Sequence, residues 1–155
     1  MLAVLELIDQ VCGWRQADER IHDLLGEYIR CDPIRDPVSS FLFFEYHLLG
    51  VLGVQPDFTS CARCGARIDQ GFYSAAEGAT VCGRHGGRSP GVVPVKPELV
   101  EVVRRVERTP LTALCEVALE RGTRKNLGKV IHSTYTYHVH GYTLPEALKL
   151  IPKDQ

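Results

Sequence analysis

Cys61 and Cys64, followed by Cys82 and His85, are spaced as C-x2-C-x17-C-x2-H. Each x2 pair can bite one cation from a tight knuckle turn, and the 17-residue spacer returns the second pair to the first. Three thiolates and an imidazole suit tetrahedral Zn2+. Gly65, Gly83 and Gly86-Gly87 stand beside the knuckles, where the backbone must turn sharply. Reduced thiols left this close together without a metal or redox role would be unusual. Four protein ligands leave no open position for water or substrate, so the spacing predicts a structural zinc that supports folding and does not activate a nucleophile.

The surrounding pattern is helical. Residues 2–12 place Leu2, Leu5, Ile8 and Val11 or Cys12 on one face at helical spacing. Asp18 can cap a second helix that turns Ile21, Leu24, Leu25 and Tyr28 inward. Asp36-Pro37 is a start signal, and the helix that follows reads FLFFEYHLLGVLG from Phe41 to Gly53. Apolar on nearly every side, it belongs in the middle of a bundle. Glu45 and His47 interrupt it and read as hydrogen-bonded core or boundary residues. Residues 57–91 hold Gly- and Cys-rich turns and two strand candidates, Gly71 to Ser74 and Ala79 to Cys82, joined at Glu77-Gly78.

After Pro94 and Pro97 the helices resume. Leu99, Val102, Val103 and Val106 form one stripe, and Thr109-Pro110 caps a helix with Leu111, Leu114 or Cys115, and Ala118 inward. Thr123 opens another helix running to about His140, and Thr143 to Glu146 has capping-box spacing before a short last helix. The expected fold is therefore mainly α, one helical domain over residues 1–155 with an inserted Cys3His zinc ribbon or knuckle at 57–91.

Composition narrows the function classes. Apolar residues make up 45% of the 155, enough for one real core. The first helix lacks the basic start of a secretory signal, and the longest uncharged apolar run, Tyr46 to Pro56, is too short to span a membrane. Cys12, Cys31 and Cys115 are scattered and suggest no pairing, which fits a reducing cytoplasm. Residues 1–60 hold 10 acidic and 4 basic side chains, whereas residues 61–155 hold 9 acidic and 14 basic. Either the second half faces an anionic partner, or the two halves neutralise each other within one fold.

Arg121, Arg124, Lys125, Lys129 and His132 recur at helical spacing, with Leu127, Val130 and Ile131 opposite. Tyr135 continues that basic face, with Tyr137, His138 and Tyr142 near it in sequence. Cations beside stackable rings suit phosphates and unpaired bases, and an ordinary solvated face is the other reading. Arg104, Arg105 and Arg108 form a second cluster, and Arg63, Arg67, Arg84 and Arg88 decorate the zinc module. His138-x-His140 lacks an obvious third metal ligand. With no phosphate loop, nucleophile elbow or HExxH sequence, nothing specifies an enzyme or a small-molecule substrate.

The helix FFEYHLLGVLG, the Q-P-D stretch, C-A-R-C-G and the later C-x2-H together resemble the C-terminal region of the bacterial DNA repair protein RecO family. That family pairs an F-E-x-x-L-L-x-x-L-G helix with a C-x-x-C-G zinc module and closes near Y-x-x-H-x-x-G, a character that Tyr135 to Gly141 shares with looser spacing. The resemblance spans about residues 1 to 150 and is most specific from Phe43 to Gly65. It implies a cytoplasmic, nucleoid-associated recombination mediator that binds and anneals single-stranded DNA. It also implies contact with the acidic, apolar-ended tail of the single-stranded-DNA-binding protein, and work with RecR to load RecA. Arg104, Arg105, Arg108, Arg121, Arg124, Lys125 and Lys129 are the expected contacts to DNA or partner. The sequence departs from the family at two points. Met1 falls near the first helix of the helical region, without the usual OB-fold barrel before it, and His85 stands where cysteine is common. The alternative is a zinc-stabilised protein-interaction module with no nucleic-acid binding of its own.

Overall fold

The helix announced by Asp36-Pro37 forms over Pro37–Val51, and the rest of the chain is arranged around it. The computed structural model describes residues 1–12, 18–31, 36–86 and 91–150. Among these are seven α-helices: α1 Leu2–Val11, α2 Glu19–Arg30, α3 Pro37–Val51, α4 Gly83–Gly86, α5 Pro97–Val106, α6 Leu111–Leu114 and α7 Arg121–His138. Three short strands, β1 Gly71–Ser74, β2 Ala79–Val81 and β3 Val93–Val95, and a 3-10 helix at Glu146–Leu150 complete them. The mainly α fold with a small ribbon is the observed one. No described helix is long and apolar enough to cross a membrane.

α3 starts where its cap dictates. The Asp36 carboxylate accepts bonds from the Ser39 amide at 3.0 Å and the Ser39 hydroxyl at 2.6 Å, and Pro37 supplies the preset first turn. Phe41 to Tyr46, Leu48 and Leu49 are all buried, because α2, α6 and α7 pack around the helix. Burial of each large apolar side chain contributes roughly 1.5–3 kcal/mol, so α3 carries a larger share of the driving force than any other described helix.

The other helices deviate from expectation in instructive ways. α1 buries Val4 and Leu7 and leaves Leu2 and Leu5 exposed. Its sequence is apolar on more than one side, so periodicity alone allowed two docking faces. α5 buries Leu99, Val100, Val103 and Val106, with Val102 only partly covered. Thr109 does not cap the next helix; its hydroxyl donates back to the Arg105 carbonyl at 2.7 Å. α6 stops at Leu114, which leaves Ala118 exposed and turns Leu119 inward instead. The Leu119 amide donates to the buried Ser39 hydroxyl at 3.0 Å. α7 begins at Arg121, before the expected Thr123, because the Glu120 carboxylate accepts from the Gly122 and Thr123 amides. It ends at His138. Thr143 opens no capping box: its amide donates to Gln10 Oε1 at 2.8 Å, and a 3-10 helix follows.

Cys31 and Cys115 were expected to stand apart, yet they pair as a disulfide with Cα atoms 5.5 Å apart. Cys31 caps the end of α2 and Cys115 the end of α6, and both helices pack on α3. That shared surface joins residues 84 apart in sequence.

The sheet has the antiparallel order β2-β1-β3. β1 falls as expected and β2 ends one residue early, at Val81. β3 was not foreseen, since Pro94 at its centre reads as a break. It pairs at the sheet edge, where a missing N–H removes no ladder bond that the sheet needs.

Candidate functional site

The C-x2-C knuckle is built from backbone bonds that leave both sulfurs pointing to one place. The Gly65 amide donates to the Cys61 carbonyl at 2.8 Å, and the Cys61 amide to the Ala66 carbonyl at 2.7 Å. Closing that turn requires Gly65 at φ +69°, a region that side chains disfavour. Across from it, β2 delivers Cys82, and the single turn of α4 presents His85 through bonds from the His85 and Gly86 amides to the Cys82 carbonyl. Gly86 is needed for space: a Cβ there would meet Val81 Cγ2 at 2.5 Å and Phe72 Cβ at 2.9 Å. Gly83 has no such constraint, and Gly87 lies outside the described residues.

The four ligand atoms of Cys61, Cys64, Cys82 and His85 all lie within 4.8 Å of one another. His85 Nδ1 is 3.3 Å from Cys82 Sγ and 3.6 Å from Cys61 Sγ, and Cys64 Sγ is 3.9 Å from Cys82 Sγ. A tetrahedral ion with Zn–S near 2.3 Å and Zn–N near 2.0 Å separates its ligands by about 3.4–3.8 Å, so the group fits. The Cys82 amide aims at Cys61 Sγ from 3.3 Å, and this bond leads the effects that hold the Cys61 thiol down to about 5. Among the described residues no other cluster of ligating side chains has metal-holding geometry, and His138 and His140 stay exposed without partners for one.

The metal group is fastened to the helices by polar links. Tyr73 on β1 is fully buried and its hydroxyl meets Thr134 Oγ1 of α7 at 2.8 Å. Asn126 of α7 donates to the Pro94 carbonyl of β3 at 2.6 Å. Arg63 grips Glu77 at 2.7 Å and the His85 carbonyl at 3.2 Å, so the first knuckle is tied to the hairpin turn and to a ligand.

The expected basic contacts divide into two kinds. Arg104 is a strut: it donates to the Ile68 carbonyl at 2.8 Å and lies 3.6 Å from Asp69. Arg124 is another, 3.3 Å from Asp36, the cap of α3, with both side chains mostly covered. Burial raises the Asp36 carboxyl, but the Ser39 bonds and Arg124 outweigh it and leave it below its ordinary value. Arg121, Lys125 and Lys129 stay exposed, without an ion pair among the described residues, and repeat every four residues along one side of α7. His132 continues that side. Tyr135 does not: it is fully buried, and its hydroxyl donates to the Glu45 carbonyl at 3.1 Å. Arg105 and Arg108 stay exposed at the end of α5, Arg67 sits 3.5 Å from Asp69, Arg84 is exposed, and Arg88 lies outside the described residues.

Glu45 is a core residue, 3% exposed. Burial pushes its carboxyl up to about 8, and its charge would act on the phenols of Tyr28, Tyr135 and Tyr142. His47 is partly buried, which lowers its basicity, and its Nε2 has no hydrogen bond among the described residues. Sequence reasoning missed a groove where the β1–β2 turn faces the second half of α7, lined by Ser74, Ala75, Ala76 and Gly91 on one side and by His132, Ser133, Thr136 and Tyr137 on the other. Its two walls are some sixty positions apart, and no local pattern signals their meeting.

The family described as Recombination protein O C terminal matches residues 1–146. The chain belongs to that family. Its curated relatives include the DNA repair protein RecO of Bacillus mycoides (strain KBAB4) and of Bacillus cereus (strain B4264). Each is 26% identical over 134 residues, covering 85% of this chain and 54% of the relative. The DNA repair protein RecO of Bacillus anthracis (strain CDC 684 / NRRL 3495) is 25% identical over the same shares. The chain thus spans about half the length of these relatives. Membership accounts for the helix-then-knuckle order, and His85 is the fourth member of a cluster that could hold a metal ion.

Proposed function

We propose that this chain serves DNA repair as part of a recombination mediator, holding single-stranded DNA on α7 and using a structural zinc to fix the hairpin beside it. The observation that carries this reading is the row of exposed cations Arg121, Lys125 and Lys129, without an ion pair among the described residues, in a member of this family. Phosphates are the anions such a row suits, because each neutralised phosphate releases counterions. Cys61, Cys64, Cys82 and His85 would hold the zinc, which supplies a four-way crosslink and no reactive position. Residues 57–91 act as an insert in one domain covering residues 1–155. The role is binding, not turnover. Arg105 and Arg108 are left for the acidic tail of the single-stranded-DNA-binding protein or for RecR, while Arg104 and Arg124 are withdrawn to internal work.

The withdrawal of those two arginines favours a second reading, a zinc-stabilised interaction module without nucleic-acid binding. Fluorescence anisotropy of a labelled single-stranded oligonucleotide, titrated with the zinc-loaded chain at several salt concentrations, separates the two. Three phosphate contacts predict a log–log salt slope of about −2. Absence of binding at low salt would leave only the interaction module.

A further inference from the structure

The cation row on α7 does not end in open solvent. One turn beyond Lys129 it reaches the groove of about 490 Å³ between α7 and the β1–β2 turn. We infer that this groove receives an unpaired base of the same strand whose phosphates lie on Arg121, Lys125 and Lys129. The inference rests on the single-strand reading above and adds where a base goes and what holds it.

Three features support a base as the occupant. The first is spacing. Residues four apart on a helix are separated by about 6 Å along its axis, close to the repeat of phosphates in an extended single strand. A strand in register with the row therefore brings its next nucleotide to His132. The second is the chemistry of the walls. Tyr137 meets the His138 ring edge-on at 5.0 Å and is still 58% exposed, so it offers accessible ring surface, and Ser133 and Thr136 offer hydroxyls that both donate and accept. Ser74, Ala75, Ala76 and Gly91 are small, which keeps the opposite wall thin. Among the described residues no carboxylate lines the groove to repel a nucleotide. The third is rigidity. The His132 ring lies 5.5 Å from Tyr142, which stacks at 5.0 Å on the buried Tyr135, and the Tyr73–Thr134 bond fixes the hairpin wall against α7. A preformed slot loses little entropy on binding. Stacking on such a platform tolerates any base, which suits a protein that must hold strands of arbitrary sequence.

The test uses the zinc-loaded chain and two labelled probes of equal length, oligo-dT and the same backbone with abasic sites. Tyr137→Ala should weaken oligo-dT about five- to a hundredfold, leave its salt slope unchanged, and leave the abasic probe's affinity alone. Ala76→Trp, which fills the groove from an exposed turn position, should reproduce that pattern. Lys129→Ala should weaken both probes and flatten the slope by about 0.7. Oligo-dT binding unmoved by Tyr137→Ala and Ala76→Trp, yet reduced by Lys129→Ala, overturns the base slot and leaves the phosphate row standing. A labelled acidic, apolar-ended peptide that loses affinity in Tyr137→Ala while DNA does not would make the groove a peptide site. Wild-type chain that binds neither probe removes both readings together.

Discussion

The helical body and the metal hairpin solve the same problem by different means. The body is held by a broad apolar contact around α3, in which many side chains share the stabilisation and neighbours can adjust to the loss of one. The hairpin has short strands, and its geometry converges on four ligand atoms within 4.8 Å. One region is distributed and the other concentrated. The difference predicts graded failure in the body and abrupt failure in the hairpin.

The largest expected effect comes from removing the zinc proposed for the four-ligand cluster. Structural zinc in small modules supplies on the order of 10 kcal/mol, so a strong chelator should strip hydrogen-exchange protection from β1 and β2 while α3 keeps its own. Equal loss in both regions would abolish the contrast. Next in size is the disulfide of Cys31 and Cys115, which ties α2 to α6 within the body. Reduction should cost about 2–4 kcal/mol, read as a lower urea midpoint with zinc stoichiometry unchanged.

Glu45 gives a pH-dependent probe of the body, comparable in size to the disulfide. Its carboxyl stands at about 8 in the fold against an ordinary 4.5, so the folded chain keeps a proton that the unfolded chain releases. Its stabilising contribution is full below about pH 4.5 and is lost as pH rises towards 8, with a slope approaching about 1.4 kcal/mol per pH unit. Urea midpoints from pH 5 to 8 should fall for the wild type and flatten for Glu45→Gln. Smallest is the seam between the two regions. Tyr73→Phe removes the bond to Thr134 and should cost about 1 kcal/mol in thermal unfolding, sharpening the boundary without breaking either side.

What the sequence disclosed follows the same division. The hairpin's cluster of three cysteines and a histidine was legible because metal chemistry demands particular residue types at short spacing. α3 was legible because Asp36-Pro37 marks its start and its composition leaves no solvent face. Elsewhere the information is relational. Leu2 and Leu5 look as apolar as Val4 and Leu7, and only the docked partner distinguishes them. Arg104 and Arg124 resemble Lys125 and Lys129 in sequence, yet their anions and carbonyls arrive from distant segments. The same holds for the burial of Tyr135 under Glu45, for the pairing of Cys31 with Cys115, and for β3, whose central proline is harmless only at an edge.

The bonds joining α3 to α7 have a kinetic side. Arg124 to Asp36 and Tyr135 to Glu45 span 88 and 90 residues, and the entire hairpin lies inside that stretch. Bringing such distant segments together is slow, because chain entropy must be given up before the contact forms. A hairpin that clasped a metal early would tie off the 24 residues between Cys61 and His85. Shortening the free loop from 88 residues by that amount lowers the closure cost by about 0.3 kcal/mol. That is minor for the finished fold, and it speeds the meeting of its two principal helices by less than about twofold.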